Sequence, residues 1–272
     1  MQTIPIPISS TKNPLIKDIS LMQAKAKERK KAGVIIIEGK KEISLAVSAG
    51  LFFRKILYCP DIISVQEVRE LTGTCYDPAE VYALSAEAFS RISYRETTGG
   101  IVVVADEPHK ELSCLKISEQ SVFIILEAVE KPGNLGAICR VADAAKVSGL
   151  IICDPHTDIY NPNAIRSALG CVFTVDVVQA SFEETRSWLK RNGIRSFAAE
   201  LNASEFYHET DLSGKIALVF GTEATGLTAK WIDEADRRIK IPMGGVIDSL
   251  NVTTSVAILT FEAMRRRNFN PD

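Results

Sequence analysis

Apolar and polar residues alternate in blocks along this chain, and the blocks predict strands and helices in turn. Short aliphatic runs predict buried strands, and longer amphipathic stretches predict helices. In the second half the predicted strands are 122–126, 150–153, 174–178, 195–199, 216–220 and 238–241, and the predicted helices are 134–147, 163–168, 182–192 and 252–267. This alternation predicts an α/β fold with a mostly parallel sheet covered by helices on both faces.

The first half predicts a smaller α/β sandwich. A basic helix over 14–31 is followed by strands at 34–37, 55–58 and 101–105 and by helices at 40–49 and 64–72. Polar residues between Asp106 and Gln120 interrupt the apolar pattern, which indicates a domain boundary. We therefore predict one domain over 1–107 and a second over 118–272.

Composition argues against several classes of protein. No stretch approaches the ~18–20 apolar residues of a membrane span, and the N-terminus lacks the pattern of a secretory signal. The 6 cysteines form no CxxC pair and only 3 histidines are present, so no metal site is expected. Scattered cysteines are typical of reduced thiols, which favours a cytoplasmic location.

Charge is unevenly distributed along the chain. The formal net charge is −2, yet residues 1–60 hold 11 Lys and Arg against 4 Asp and Glu, a net of +7. Such an excess is one signature of nucleic-acid binding. A solvated helix explains it equally well, because most of the excess is Lys25, Lys27, Arg29, Lys30 and Lys31 in one predicted helix.

Three glycine-containing segments follow the carboxyl ends of predicted strands, where ligands bind in open parallel sheets. The first, residues 130–140, has a Pro-Gly turn before Asn134 and ends at Arg140. Asn134 is predicted to cap the following helix, and Arg140 shares a helix face with the small residues Gly136 and Ala144. Small neighbours allow a substrate to approach the guanidinium, although a surface arginine in an ordinary βα unit has the same pattern.

The second segment, residues 219–227, places Glu223 between two glycines. Leu227 and Thr228 stand where a P-loop requires Lys and then Ser or Thr, so nucleoside triphosphate binding is disfavoured. Glycines after a strand indicate close approach of the backbone to a ligand, but a turn with a solvated glutamate fits equally well.

The third segment runs from Ile241 to Val252. Its apolar residues Met243, Ile247 and Leu250 are candidates for a pocket lining. Ser249 or Asp248 is predicted to cap the last helix. A capped helix without any ligand is the simplest alternative.

In this order and spacing, the three segments resemble the motifs of the SpoU (TrmH) family of RNA 2′-O-ribose methyltransferases, within the SPOUT superfamily. The matching residues are Asn134, Gly136 and Arg140, then Gly221, Glu223, Gly226 and Leu227, then 241–243 and 249–252. Residues 34–40 and 85–101 resemble the start and end of the L30e-like domain that often precedes the catalytic domain. Thr98 with Gly99 replaces the common Pro-Gln, and Ala168 stands where many members carry Ser, a difference expected to affect packing or RNA contact.

The resemblance implies a deep trefoil knot in the C-terminal domain, a homodimer formed through that domain, and S-adenosylmethionine as the cofactor. The residues implied to bind the cofactor are Phe220, Gly221, Glu223, Gly226, Ile241, Met243 and Leu250. The residues implied to be catalytic are Arg140, Asn134, Glu223, Ser249 and Asn251. Arg140 would position and stabilise the ribose 2′-oxygen, since arginine does not readily lose its proton. Glu223 would pair with Arg140 or hold the loop, while the remaining polar groups would orient Arg140, the ribose or the cofactor.

The implied reaction is methyl transfer to a ribose 2′-hydroxyl of RNA. The additional N-terminal domain favours ribosomal RNA over transfer RNA. A transfer RNA methyltransferase and a non-catalytic RNA-binding protein of the same fold are the alternatives. A dinucleotide-dependent enzyme is disfavoured because the first segment lacks the GxGxxG spacing.

Overall fold

The computed structural model describes residues 3–94, 99–155 and 157–269. They form two compact units. Unit 1 comprises the described residues of Met1–Pro108 and Asp158–Thr174, and unit 2 those of His109–Thr157 and Val175–Asp272. A short segment from within the predicted C-terminal domain therefore packs as part of unit 1, while the predicted domain bounds themselves stay a prediction.

Unit 1 contains a mixed sheet of five strands in the order β1-β4-β3-β5-β2. The strands are β1 (Ile6–Ile8), β2 (Val34–Glu38), β3 (Phe53–Tyr58), β4 (Glu80–Leu84) and β5 (Ile101–Asp106). Its helices include α1 (Pro14–Ala24), α2 (Ala26–Ala32), α3 (Lys40–Ser48), α4 (Val65–Thr72) and α5 (Ala86–Ser90). Strand β5 runs antiparallel to both β2 and β3, whereas β1, β4 and β3 are mutually parallel.

The prediction of a single basic helix over 14–31 is wrong, because the backbone of Lys25 is extended and separates α1 from α2. Contacts between Arg29 and residues outside α2 account for this break. Arg29 is buried, and its guanidinium donates to the carbonyl oxygens of Met22 and Gln23 at the end of α1. The same guanidinium pairs with Asp158, with Nη2 and Oδ2 2.5 Å apart. Arg29 is therefore a structural residue and is no longer a candidate for contact with RNA.

The segment Asp158–Thr174 is held in unit 1 by further contacts. The Arg166 guanidinium lies 4.1 Å from the centre of the Tyr94 ring and 3.8 Å from a carboxylate oxygen of Glu38. Ala168 is fully buried, which supports a packing role for the departure from the family pattern at that position. The other departure, Thr98, lies outside the described residues.

Unit 2 contains a seven-stranded sheet in the order β10-β12-β9-β11-β6-β7-β8, in which every described pair is parallel. The strands are β6 (Val122–Glu127), β7 (Gly149–Cys153), β8 (Val177–Ala180), β9 (Arg195–Ala199), β10 (Glu205–Phe206), β11 (Ile216–Phe220) and β12 (Arg237–Lys240). The remaining helices are α6 (Pro132–Ala144), α7 (Pro162–Ser167, in unit 1), α8 (Phe182–Asn192), α9 (Ala229–Glu234) and α10 (Val252–Arg265). The predicted α/β fold with a parallel C-terminal sheet is confirmed.

The central strands of unit 2 are buried on both faces. Every residue of β6, β7 and β11 is buried, as expected for parallel strands covered by helices. On one face Trp188 packs edge-on against Phe123, and Trp231 packs edge-on against Phe182. This rigid core places the carboxyl ends of β12, β9, β11 and β6 side by side, and the three glycine-containing segments extend from three of these ends.

Nowhere in 3–94, 99–155 or 157–269 does a helix combine the length and the apolar character needed to cross a bilayer.

Candidate active site

One carboxylate joins the three segments. Asn134 donates from Nδ2 to Glu223 Oε1 at 3.0 Å, and Asn251 donates from Nδ2 to the same oxygen. Lys131 pairs through Nζ with the other oxygen, Oε2. Residues separated by up to 120 positions in the chain are thus brought onto a single side chain, Glu223, which is 25% exposed.

The electrostatics of this cluster keep Glu223 ionised. The hydrogen bond from Lys131 is the main cause that holds the pKa of Glu223 below its ordinary value, and the bond from Asn134 adds to it. The pKa of Lys131 is raised in return, chiefly by its hydrogen bond to Glu223. A carboxylate with a lowered pKa is a poor proton acceptor but a firm anchor for amide donors, so the cluster orients groups.

Helices α6 and α10 begin at residues other than those predicted. In each case the observed N-cap residue, Lys131 or Asn251, has a side chain that contacts Glu223. Helix α6 begins at Pro132 with Lys131 as its N-cap, because proline suits the first helical position, so the prediction of Asn134 as N-cap is wrong. Helix α10 is capped by Asn251, whose Oδ1 accepts from the Thr253 N–H at 2.9 Å, so the predicted Ser249 or Asp248 cap is also wrong. The amide of Asn251 therefore caps a helix with its oxygen and binds Glu223 with its nitrogen.

The loop carrying Glu223 closes on itself. The backbones of Thr222 and Gly226 exchange two N–H to oxygen bonds of 3.1 Å each. A Cβ atom at position 221 would lie 2.1 Å from the carbonyl carbon and oxygen of Gly226, so Gly221 is required by close backbone approach. Gly226 has φ of 69°, a left-handed conformation that glycine adopts without strain.

Hydrogen bonds between Glu127 and Thr228 also hold the end of this loop. The buried Glu127 at the end of β6 accepts from the N–H of Thr228 at 2.8 Å and from its hydroxyl at 2.7 Å. Neither Lys131 nor Glu127 was predicted from the sequence to be a functional residue. The signal for Glu127 was an acidic residue at the end of an otherwise apolar strand.

A cavity of about 520 Å³ lies at the carboxyl ends of β9, β11 and β12. All seven residues predicted to bind the cofactor line it: Phe220, Gly221, Glu223, Gly226, Ile241, Met243 and Leu250. Ser249 also lines it, whereas Ile247 does not and is exposed. The volume is within the range of small-molecule sites, and the wall combines apolar residues such as Leu250 with polar residues such as Ser249.

A second, smaller cavity of about 100 Å³ lies against the same carboxylate. Lys131, Asn134, Glu223 and Val252 are among the residues that line it. Glu223 therefore forms part of the wall of both cavities. Ligands bound in the two cavities would therefore lie close together, beside the side-chain amides of Asn134 and Asn251 that donate to Glu223.

Arg140 is placed apart from this cluster. It is exposed on α6, lines neither cavity, and within the described part of the chain it has no hydrogen-bond or ion-pair partner. Six residues of helix separate it from Asn134, a rotation that leaves the two side chains about 120° apart. The suggested pairing of Glu223 with Arg140 is therefore not formed within this chain, and Glu223 instead holds the loop.

Comparison with known proteins gives two family matches. The SpoU rRNA Methylase family model matches residues 121–261, and the MRM3-like substrate binding domain model matches residues 13–103. The 23S rRNA (guanosine(2553)-2′-O)-methyltransferase RlmP of Bacillus subtilis is 30% identical over 254 residues, 93% of this chain and 97% of that protein. The 23S rRNA (uridine(2479)-2′-O)-methyltransferase of Streptomyces viridochromogenes is 28% identical, with 88% and 85% covered.

Solved structures agree with the sequence matches. The AdoMet-bound rRNA methyltransferase from Sinorhizobium meliloti superposes with a TM-score of 0.88 at 28% identity, over 96% of this chain and 98% of that chain. The SpoU methyltransferase AviRb from Streptomyces viridochromogenes in complex with AdoMet gives 0.87 at 25% identity, over 94% and 99%. Because the family match spans more than half of the chain and contains all three motif segments, this protein belongs to the SpoU rRNA methylase family.

Proposed function

We propose that this protein transfers a methyl group from S-adenosylmethionine to the 2′-hydroxyl of a ribose in ribosomal RNA, and 23S rRNA is the first substrate to test. The observation that carries the proposal is the convergence of three motif segments on Glu223 beside a cavity of cofactor size. Two relatives that cover most of this chain are named as 23S rRNA 2′-O-methyltransferases, which supports ribosomal over transfer RNA.

The chemistry divides between the cofactor and the protein. S-adenosylmethionine would supply, when bound, a methyl group on a sulfonium sulfur, which leaves readily as a neutral thioether once the methyl group is transferred. The protein aligns the 2′-oxygen with that methyl, and Asn134 and Asn251 are held for this task by Glu223. Glu223 is held by Lys131, Asn134 and Asn251, and the lowered pKa of its carboxylate makes it a poor acceptor for the hydroxyl proton, so we assign it an orienting role. Arg140 stabilises the negative charge that develops as the proton leaves to an RNA phosphate or to water.

The free position of Arg140 supports a homodimer formed through unit 2. Arg140 lines neither cavity of its own chain, which leaves its guanidinium available to act on the cavity of a partner protomer, as we propose. Val246, Ile247 and Phe261 are apolar residues of the same unit with exposed side chains, which a second copy would cover. The trefoil knot and the cytoplasmic location stay predictions.

We propose that unit 1 binds the RNA through the lysines of its basic segment. Among them are Lys27, Lys30 and Lys31 on α2, which are exposed and have no ion-pair partner in the described part of the chain. Exposed, unpaired lysines are available to replace counterions along a phosphate backbone. The matched MRM3-like substrate binding domain covers this helix, which also supports the assignment.

Replacing Lys27, Lys30 and Lys31 together by Gln is expected to weaken binding of ribosomal RNA fragments and to lower its salt dependence. Each lost phosphate contact reduces the slope of log affinity against log salt by about 0.7–0.9. Fluorescence anisotropy across a salt series measures both quantities, and the turnover of saturated enzyme should stay unchanged. Lys116→Gln, an exposed lysine of unit 2, is the control. An unchanged slope in the triple variant would mean that α2 is only solvated.

The function itself is tested by mapping 2′-O-methyl marks on total RNA from cells with and without the protein. We expect the loss of a mark in ribosomal RNA, restored by the purified protein with S-adenosylmethionine. Loss of a transfer RNA mark instead would support the transfer RNA alternative. Absence of any change, together with no cofactor binding in calorimetry, would support a non-catalytic RNA-binding protein.

A further inference from the structure

Glu200 lines the large cavity and lies outside all three motif segments. It follows the last residue of β9 directly, and β9 lies between β11 and β12 in the sheet. Its backbone N–H donates to the Ile239 oxygen at 3.0 Å, so the sheet positions the residue. Its neighbours at the ends of the flanking strands are Gly221 and Ile241, and all three line the cavity.

The carboxylate of Glu200 is incompletely satisfied. Its Oε2 atom is buried and accepts no hydrogen bond from any residue that the structure describes. The ion-pair partner is Arg238, whose Nη1 is 4.0 Å away, beyond hydrogen-bond distance, on a side chain that is 55% exposed. A buried carboxylate oxygen without a donor is costly, and such an exception calls for a missing partner. The cavity that Glu200 lines is where that partner would bind.

The other acidic residues of the cavity wall do not offer the same group. Glu223 is occupied by Lys131, Asn134 and Asn251, and Asp248 is exposed to solvent. Glu200 is mostly buried, with a side chain that is 15% exposed, so a hydrogen bond to it would be little screened. It is thus well placed to recognise a ligand that brings hydroxyl or amino donors into the cavity.

We propose that Glu200 accepts hydrogen bonds from the ribose hydroxyl groups of S-adenosylmethionine, an inference that rests on the proposed function. The ribose is the middle of the cofactor, between adenine and methionine, and Glu200 stands on the middle of the three strands that edge the cavity. The two neighbouring hydroxyl groups of the ribose can each donate a hydrogen bond to one oxygen of the Glu200 carboxylate. An acidic residue near a strand end binds a ribose hydroxyl in the same manner in dinucleotide-binding sheets.

The test compares two ligands in calorimetry with the full-length protein: S-adenosylhomocysteine and its 2′,3′-dideoxyribose analogue. The wild-type protein is expected to bind the dideoxy analogue about ten- to a hundredfold more weakly, because a hydrogen bond to a charged acceptor is lost. Glu200→Ala should bind both ligands with equal, weakened affinity. Glu200→Gln should show an intermediate preference, because its amide oxygen still accepts one bond.

Two control variants separate this role from others. Arg238→Met removes the distant cation and should keep the preference for the ribose ligand, as should Glu209→Ala, an exposed acidic residue of the same unit. Melting temperatures of all variants identify any that fail to fold, and Glu200→Gln then replaces Glu200→Ala as the deciding variant.

The outcomes distinguish the two proposals. If the wild-type protein binds neither ligand, the proposed cofactor is wrong. If wild-type protein prefers the ribose ligand and Glu200→Ala keeps the full preference, the role of Glu200 is overturned while the proposed function stands. Loss of affinity in Glu200→Ala with the preference unchanged would also overturn it, because the carboxylate would then bind another part of the cofactor.

Discussion

Replacing Arg140 by Ala is expected to slow methyl transfer to RNA by about 10²–10³-fold, the effect of removing one charge-stabilising donor from a transition state. Arg140 lines neither cavity, so the affinity for S-adenosylhomocysteine should stay unchanged. Single-turnover transfer of a labelled methyl group to ribosomal RNA measures the first quantity, and calorimetry the second. The melting temperature should not fall, since Arg140 is exposed.

The matched control is Arg191→Ala, an exposed arginine on α8 of the same unit. It should transfer methyl groups at the wild-type rate. A near wild-type rate in Arg140→Ala would remove Arg140 from the mechanism. An equal loss in both variants would show that general surface charge matters, and not this guanidinium.

Replacing Gly221 by Ala is expected to abolish detectable cofactor binding and, with it, methyl transfer. The new Cβ would lie 2.1 Å from the carbonyl group of Gly226, and real atoms at that distance must move apart. The contact is with backbone, so no side-chain rotation relieves it, and the loop that carries Glu223 must shift. Calorimetry with S-adenosylhomocysteine and a methyl-transfer assay measure the result.

Gly133→Ala provides the control for the Gly221 variant. Position 133 lies in the first turn of α6, where an added Cβ meets no atom of the described residues within 4 Å. This variant should bind the cofactor normally and gain a little stability, since Ala favours helix more than Gly by about 1 kcal/mol. Normal cofactor binding in Gly221→Ala would show that the loop is adaptable and that its closed geometry is dispensable.

The two deleterious variants together test where Arg140 acts. When Arg140→Ala and Gly221→Ala chains are co-expressed, each mixed dimer has one intact cavity and one intact Arg140, on different protomers. If Arg140 serves the partner's cavity, as we propose, the mixed dimer contains one complete site and recovers activity. If Arg140 serves its own cavity, both sites of the mixed dimer stay defective and no activity returns.

The fold of unit 2 was largely predictable from the sequence because the central strands β6, β7 and β11 are almost continuous apolar runs. The predicted strands at 195–199 and 216–220 and the predicted helix at 182–192 match β9, β11 and α8. The helices and strands that were missed, β1, β4, α5, β10 and α9, are short or half-exposed and so have little hydrophobic periodicity. Burial on both faces gives a strand a strong pattern, whereas an edge strand has a weak one.

Local sequence and tertiary contact therefore determined different parts of this protein. The sequence by itself determined most strands and helices of unit 2 and the three motif segments, since these depend on nearby residue types. The residues expected to bind the cofactor followed from the resemblance of those segments to a family. Only the tertiary structure decided that Arg29 breaks the first helix, that Glu223 joins Lys131, Asn134 and Asn251, and that Glu200 is left with an open acceptor. Each of these depends on partners far apart in the chain, which a local pattern of residues does not specify.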